Sequence, residues 1–126
     1  MAPRKERKTK HRLMLEDAVR RTATWCQANF PPRVEVVVSV VGEIDDETLG
    51  FVAPTNDEKT KVELLVSADQ SVREAIETTI HEWAHVHTLP WLADWQNDHE
   101  DWFWLVFGRM YRRWHDQGGA QAAARL

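Results

Sequence analysis

The chain has 126 residues, a net charge of −4, 43% apolar content and one cysteine, Cys26. That length suits a single domain able to bury a core without disulfides. One thiol excludes a disulfide framework, a zinc ribbon and a Cys-x-x-Cys redox pair, and it suits a reducing cytoplasm.

No apolar run approaches a membrane span, so no membrane partner is expected. Residues 1–12 hold Arg4, Lys5, Arg7, Lys8, Lys10 and Arg12 against Glu6, with no apolar segment behind them that would make a secretory signal. They read as a basic, disordered arm. The functional reading of such an arm is a nonspecific grip on nucleic acid phosphates through counterion release. By contrast, residues 34–101 carry sixteen carboxylates against Lys59, Lys61 and Arg73.

From about Arg12 to Asn29, Leu15, Ala18, Val19, Thr22, Trp25 and Cys26 recur at three- and four-residue intervals, which predicts an amphipathic helix. Phe30-Pro31-Pro32 stops it, because proline lacks the helix donor and disfavours helical geometry in the residue before it. The valine-rich run Arg33 to Val41 predicts a strand buried on at least one face. Gly42 to Thr48 is an acidic turn region. Leu49 to Ala53 predicts a second, short strand closed by Pro54-Thr55-Asn56-Asp57, and Lys61 to Ser67 a third.

Ser71-Val72-Arg73-Glu74 is a capping box that opens a helix running to about Thr88 and ended by Pro90. Its buried side is expected to be Val72, Ala75, Ile76, Thr79, Ile80 and Trp83. Glu74, Thr78, His81 and His85 step along the face that the core leaves free. After a loop with Trp91, Asp94 and Trp95, a last helix is predicted from about Asp98, its N-cap, to His115. Phe103, Val106, Phe107, Met110 and Trp114 form its stripe, and Gly118-Gly119 terminates it.

The order helix, three strands, helix, helix gives the α+β class, and nothing in it calls for a parallel crossover sheet. The expected organisation is an arm over 1–12, one domain over 13–116 and a flexible tail over 117–126. Most of the seven tryptophans should be core, with Trp91, Trp95 and Trp104 able to line a cleft instead. Arg109, Arg112 and Arg113, with Arg20, Arg21 and the arm, either form one basic face for nucleic acid or stand as separate solvated arginines.

Within the penultimate helix, His81-Glu82-Trp83-Ala84-His85 spells H-E-x-x-H. Residues four apart lie on one helix face, so both imidazoles can reach one metal ion. Glu82, beside the first, is placed to take a proton from the metal's water. The bland alternative is a solvent-facing helix that happens to carry two histidines. A catalytic zinc usually has three protein ligands and an open fourth position. His87 is turned about 200° from His85 and reads as a surface or packing residue. His11 lies in the arm and His115 at the far end of the last helix. His99 is therefore the expected third ligand, with Asp94, Asp98, Glu100 and Asp101 as competitors.

The stretch from His81 to Trp114 resembles the SprT-like, Spartan-type branch of the zincin metalloproteases. In that family H-E-x-x-H is followed, after a loop, by a short segment whose histidine is the third zinc ligand and whose phenylalanine is core. Here Asp98-His99-Glu100-Asp101-Trp102-Phe103 stands in that place, with thirteen residues between His85 and His99. The likeness is closest to small phage-type members, in which HEWAH precedes an aspartate–histidine pair and a Tyr-Arg helix, as in Met110-Tyr111-Arg112-Arg113-Trp114.

The resemblance implies a zincin-like core and one catalytic Zn2+ held by His81, His85 and His99, with Glu82 as general base. It also implies hydrolysis of peptide bonds in a protein or peptide substrate, DNA-associated proteins among them, in the host cytoplasm if the chain is phage-encoded. Two departures stand out. Glu100-Asp101 replaces the Gly-Pro after the third histidine, and the C-terminal zinc ribbon of many relatives is absent. Tyr111 is the tempting oxyanion donor, yet it lies three helical turns beyond His99, too far from the metal.

Two other readings compete. YbeY-type metal-dependent endoribonucleases also use three histidines, but their last ligand follows the second by only a few residues and they lack the glutamate. A non-catalytic module with structural zinc, or one that binds nucleic acid, is the other; structural sites are usually closed by four protein ligands.

Overall fold

The computed structural model describes residues 8–88 and 101–117. Helix α1 spans Lys10–Asn29 and begins earlier than the apolar periodicity predicts. Thr9 caps it, its hydroxyl accepting the Arg12 N–H at 3.1 Å. Arg12 then pairs with Glu16 one turn on and donates to the Val40 carbonyl at 2.9 Å. The last part of the expected arm is therefore helix, and His11 belongs to it, donating to the Gln70 carbonyl. Leu15, Ala18, Val19, Thr22 and Cys26 are buried as the stripe predicts, whereas Trp25 is half-buried at the helix edge.

Strands β1 (Glu35–Val41), β2 (Gly50–Pro54) and β3 (Lys61–Ser67) form one sheet in the order β1-β3-β2. β2 and β3 make an antiparallel hairpin, with Val52 opposite Leu64. β1 lies on the other edge of β3 and runs parallel to it, with Val38 opposite Leu64. The sheet is mixed, with one parallel pair in a chain whose element order called for no parallel crossover sheet. The parallel pair needs no helical crossover, because β2 reverses the chain between its two members. Val52, Val62, Leu64 and Val66 turn inward to the helices, while Glu63 and Phe51 face out.

Helix α2 (Val72–Thr88) crosses the centre of the domain, touching α1, β2 and β3. Its capping box is formed in both directions: the Glu74 N–H donates to Ser71 Oγ at 3.1 Å and the Ser71 N–H to Glu74 Oε1 at 3.2 Å. Helix α3 (Asp101–Asp116) lies against α2 and buries Phe103, Met110 and Trp114. Burying an apolar side chain of that size contributes about 1.5–3 kcal/mol, so α3 is held mainly by these three anchors. Trp114 also meets Trp25 edge-on at 5.0 Å, closing α3 onto α1. Among the described residues, three helices on a three-stranded mixed sheet make an α+β architecture.

The predicted stop at Pro90, the Asp98 cap, the Trp91–Trp95 loop and the Gly118-Gly119 terminator lie outside the described residues. Among the described residues no helix is long and apolar enough to cross a membrane.

Candidate metal centre

The site is built on the third and fourth turns of α2. One potential ligand atom from each of His81, Glu82 and His85 lies within 4.8 Å of the other two, close enough to hold a metal ion. The four-residue spacing stacks the imidazoles on one flank, their ring centroids 5.0 Å apart.

That flank is not left open by the core, as the amphipathic pattern suggested. Glu82 is 7% exposed and His85 5%, with His81 half-buried. The cover comes from α3. Phe103 stacks on the His85 ring at 4.1 Å and 20°, and meets His81 edge-on at 4.9 Å. Phe107 adds a second edge contact to His81 at 5.5 Å. These contacts limit ring rotation and fix both imidazoles in orientation, which ligation requires.

β2 supplies the opposite wall. A Cβ on Gly50 would lie 2.6 Å from Thr78 Cγ2, 2.8 Å from Glu82 Cγ and 3.1 Å from Glu82 Oε1. Only a residue without a side chain lets the strand approach α2 here, and the approach confines the Glu82 carboxylate.

Between β2 and α2 runs a cleft of about 640 Å³, with His81, Glu82, His85 and Phe107 on one side and Leu49 to Ala53 on the other. Glu47 sits at its mouth in a turn fixed by Asp45, whose carboxylate accepts the Glu47 and Thr48 N–H groups and the Thr48 hydroxyl. Those bonds hold the Asp45 carboxyl below its ordinary pKa. Glu77, one turn before His81, accepts the Tyr111 hydroxyl at 3.1 Å. Burial, then this bond, raises the Tyr111 phenol above its usual range. Tyr111 thus closes α3 onto α2 beside the cleft.

The remaining predicted residues separate cleanly. His87 donates to the Phe30 carbonyl at 2.9 Å, shared with the Trp83 indole N–H, and is the packing residue its position implied. His115 is exposed against Tyr111. Asp101 is exposed and is not part of the His81, Glu82, His85 group. His99, Asp94, Asp98 and Glu100 lie outside the described residues, as do Trp91 and Trp95. Arg20 and Arg21 both pair with Asp17. Trp104 is 52% exposed, meets Phe103 and Phe107 edge-on at 5.1 and 6.2 Å, and is not among the residues lining this particular cleft.

Comparison with family models, curated proteins and solved structures gave no match to this chain. The site is therefore argued from its own chemistry.

Sequence reasoning missed Gly50 and assigned Phe103 and Phe107 to the core alone. A lone glycine opening a strand is a sign of close backbone approach. The two phenylalanines, one turn apart on the last helix, carry no comparable mark.

Proposed function

We propose that the chain is a zinc-dependent metallopeptidase of SprT-like type. The observation that carries this reading is the confined trio: two fixed imidazoles and a nearly buried carboxylate meeting in a cleft of about 640 Å³. The donor set fits zinc, which favours neutral histidine nitrogens in its catalytic sites. His81 and His85 would hold the ion, with His99 as the proposed third ligand. Bound there, zinc would supply a Lewis acid for the substrate carbonyl and lower the pKa of its water toward neutrality.

The chain's own groups do the rest. Glu82 takes a proton from the attacking water onto a carboxylate oxygen and returns it to the departing amide nitrogen. Gly50 and Thr78 keep that carboxylate against the helix, so it meets the water in one orientation. Phe103 and Phe107 keep bulk water from the imidazole faces. The free edge of β2, unpaired with any other strand among the described residues, runs beside the trio and offers backbone groups to an extended substrate.

The test is a comparison of metal content and peptide cleavage in three variants. Glu82→Gln should retain zinc and lose about 100- to 10,000-fold in kcat, the range general acid–base catalysis supplies. His85→Ala and His99→Ala should lose zinc and activity together. Full activity in Glu82→Gln would end the peptidase reading, and full zinc occupancy in His99→Ala would remove that residue from the ligand set.

A further inference from the structure

One end of the metal cleft is acidic. Among the described residues that line it, Glu47, Glu74, Glu77 and Glu82 are carboxylates, and none is a lysine or arginine. Glu82 belongs to the metal group; the other three gather to one side of it. Gln70 ties the start of β2 to the first half of α2, its amide donating to the Leu49 carbonyl at 3.0 Å and accepting the Thr78 hydroxyl at 2.8 Å. Glu47 lies just ahead of β2, and Glu74 and Glu77 lie in the first two turns of α2. All three therefore stand where both elements begin. Among the described residues the ion pairs lie on α1 or just before it, and none reaches these carboxylates. Arg73 acts on Tyr111 through space and lines no part of the cleft.

Two of the carboxylates are held in place by neutral donors. The Tyr111 hydroxyl donates to Glu77 Oε1 at 3.1 Å, and the Ser71 N–H to Glu74 Oε1 at 3.2 Å. Each bond orients a carboxylate and leaves its charge uncancelled. Phe107 stands between Glu77 and the metal group. Its ring stacks on Tyr111 at 5.6 Å and meets His81 edge-on at 5.5 Å. An oriented carboxylate beside aromatic rings suits a guanidinium, which is planar, weakly hydrated and able to pair and stack at once.

We propose that this end of the cleft is a subsite for an arginine side chain of the peptide substrate, with Glu77 as its first partner and Glu74 and Glu47 around it. The inference rests on the peptidase reading and adds a substrate class to it: peptides with arginine close to one side of the cleaved bond. The position follows from two pitches. Glu77 and Glu74 precede His81 by four and seven residues, about 6 and 10 Å along a helix that rises about 1.5 Å per residue. An extended peptide advances about 3.3 Å per residue. Glu77 is therefore level with the second residue from the bond, and Glu74 with the third.

Quenched fluorescent peptides and the zinc-loaded wild-type protein test the subsite. An otherwise neutral peptide carries a single Arg, Gln or Glu at each of three positions on either side of the bond. Arginine at the second or third position on one side should raise kcat/KM at least about threefold over glutamine, mainly through KM, with glutamate below both. Raised salt should shrink the difference, since the carboxylates meet solvent. Glu74→Gln and Glu77→Gln together should bring the arginine and glutamine peptides to one rate. Glutamine still accepts from Tyr111 and still completes the capping box, so these variants remove charge and keep both bonds. Glu77→Lys should favour the glutamate peptide, a reversal that a purely structural role does not produce.

Equal cleavage of the arginine, glutamine and glutamate peptides at every position overturns the subsite and leaves the peptidase reading standing. A preference that survives both glutamine substitutions overturns it too. If no peptide is cleaved, the peptidase reading fails, and the subsite is decided by anisotropy of the same labelled peptides on Glu82→Gln. Tighter binding of the arginine peptides, lost when Glu77→Gln is added, supports it; equal binding of the arginine and glutamine peptides overturns it.

Discussion

At position 50 the absence of a side chain decides the shape of the candidate site. The strand passes so close to α2 that a methyl group there would overlap Thr78 Cγ2 and Glu82 Cγ, at 2.6 and 2.8 Å. Either the strand moves away or Glu82 leaves its rotamer, and overpacking of this kind costs about 1–3 kcal/mol. Gly50→Ala should therefore lower the urea midpoint with an unchanged denaturant slope, and should reduce peptide cleavage even where zinc is retained. Wild-type stability and turnover in that variant would show that β2 yields without consequence. Cys26 makes a second case at this scale. It is fully buried, and burial alone pushes its thiol far above the ordinary range. A thiol reagent at pH 8 should leave the native chain unlabelled and add one label per chain in denaturant. Rapid labelling of the folded protein would place the sulfur at the surface.

Each helix and strand shows what a sequence can and cannot state. The capping box of α2 is spelled in adjacent residues and forms as spelled, with both reciprocal bonds in place. Ser71→Ala should cost about 0.5–2 kcal/mol by urea denaturation. Ser71 lies almost three turns before His81, so zinc affinity should not change; a matching loss of affinity would mean that the whole helix frays as a unit. The bounds of β3 were likewise legible, because Val62, Leu64 and Val66 recur at every second position, an alternation that Leu65 makes only partial, and all three are buried. Strand order was not legible. Alternation says which side of a strand is buried and nothing about which strand lies beside it, so the parallel β1–β3 pairing had no local mark. The start of α1 was hidden for another reason. Lys8, Lys10 and Arg12 read as part of a charged arm, although Lys8 and Arg12 both pair with Glu16. The histidine face of α2 was read as open for the same cause as the sheet order. Its cover, Phe103 and Phe107, comes from a different helix.

For the molecule as a whole, a metal at this centre would act on stability as well as chemistry. His81 and His85 sit on α2, which contacts α1, α3, β2 and β3, and the proposed third ligand precedes α3 in the chain. An ion held by both segments would tie α2 to the segment before α3, so unfolding either would release it. Anything bound to the native state and not the unfolded one stabilises by mass action, by about 2.7 kcal/mol at a free concentration 100 times its Kd. For a domain of this size that corresponds to a rise of roughly 5–15 °C in melting temperature. Calorimetry with and without zinc should show the rise in the wild-type chain and in Glu82→Gln, which removes only the base. It should be absent in His85→Ala, which removes one of the three proposed imidazole ligands. The variants separate two explanations that activity assays confuse, since a dead enzyme that still gains stability from zinc has lost its chemistry and kept its site. Equal stabilisation of wild type and His85→Ala would locate the ion elsewhere in the molecule and leave the H-E-x-x-H helix as a packing element.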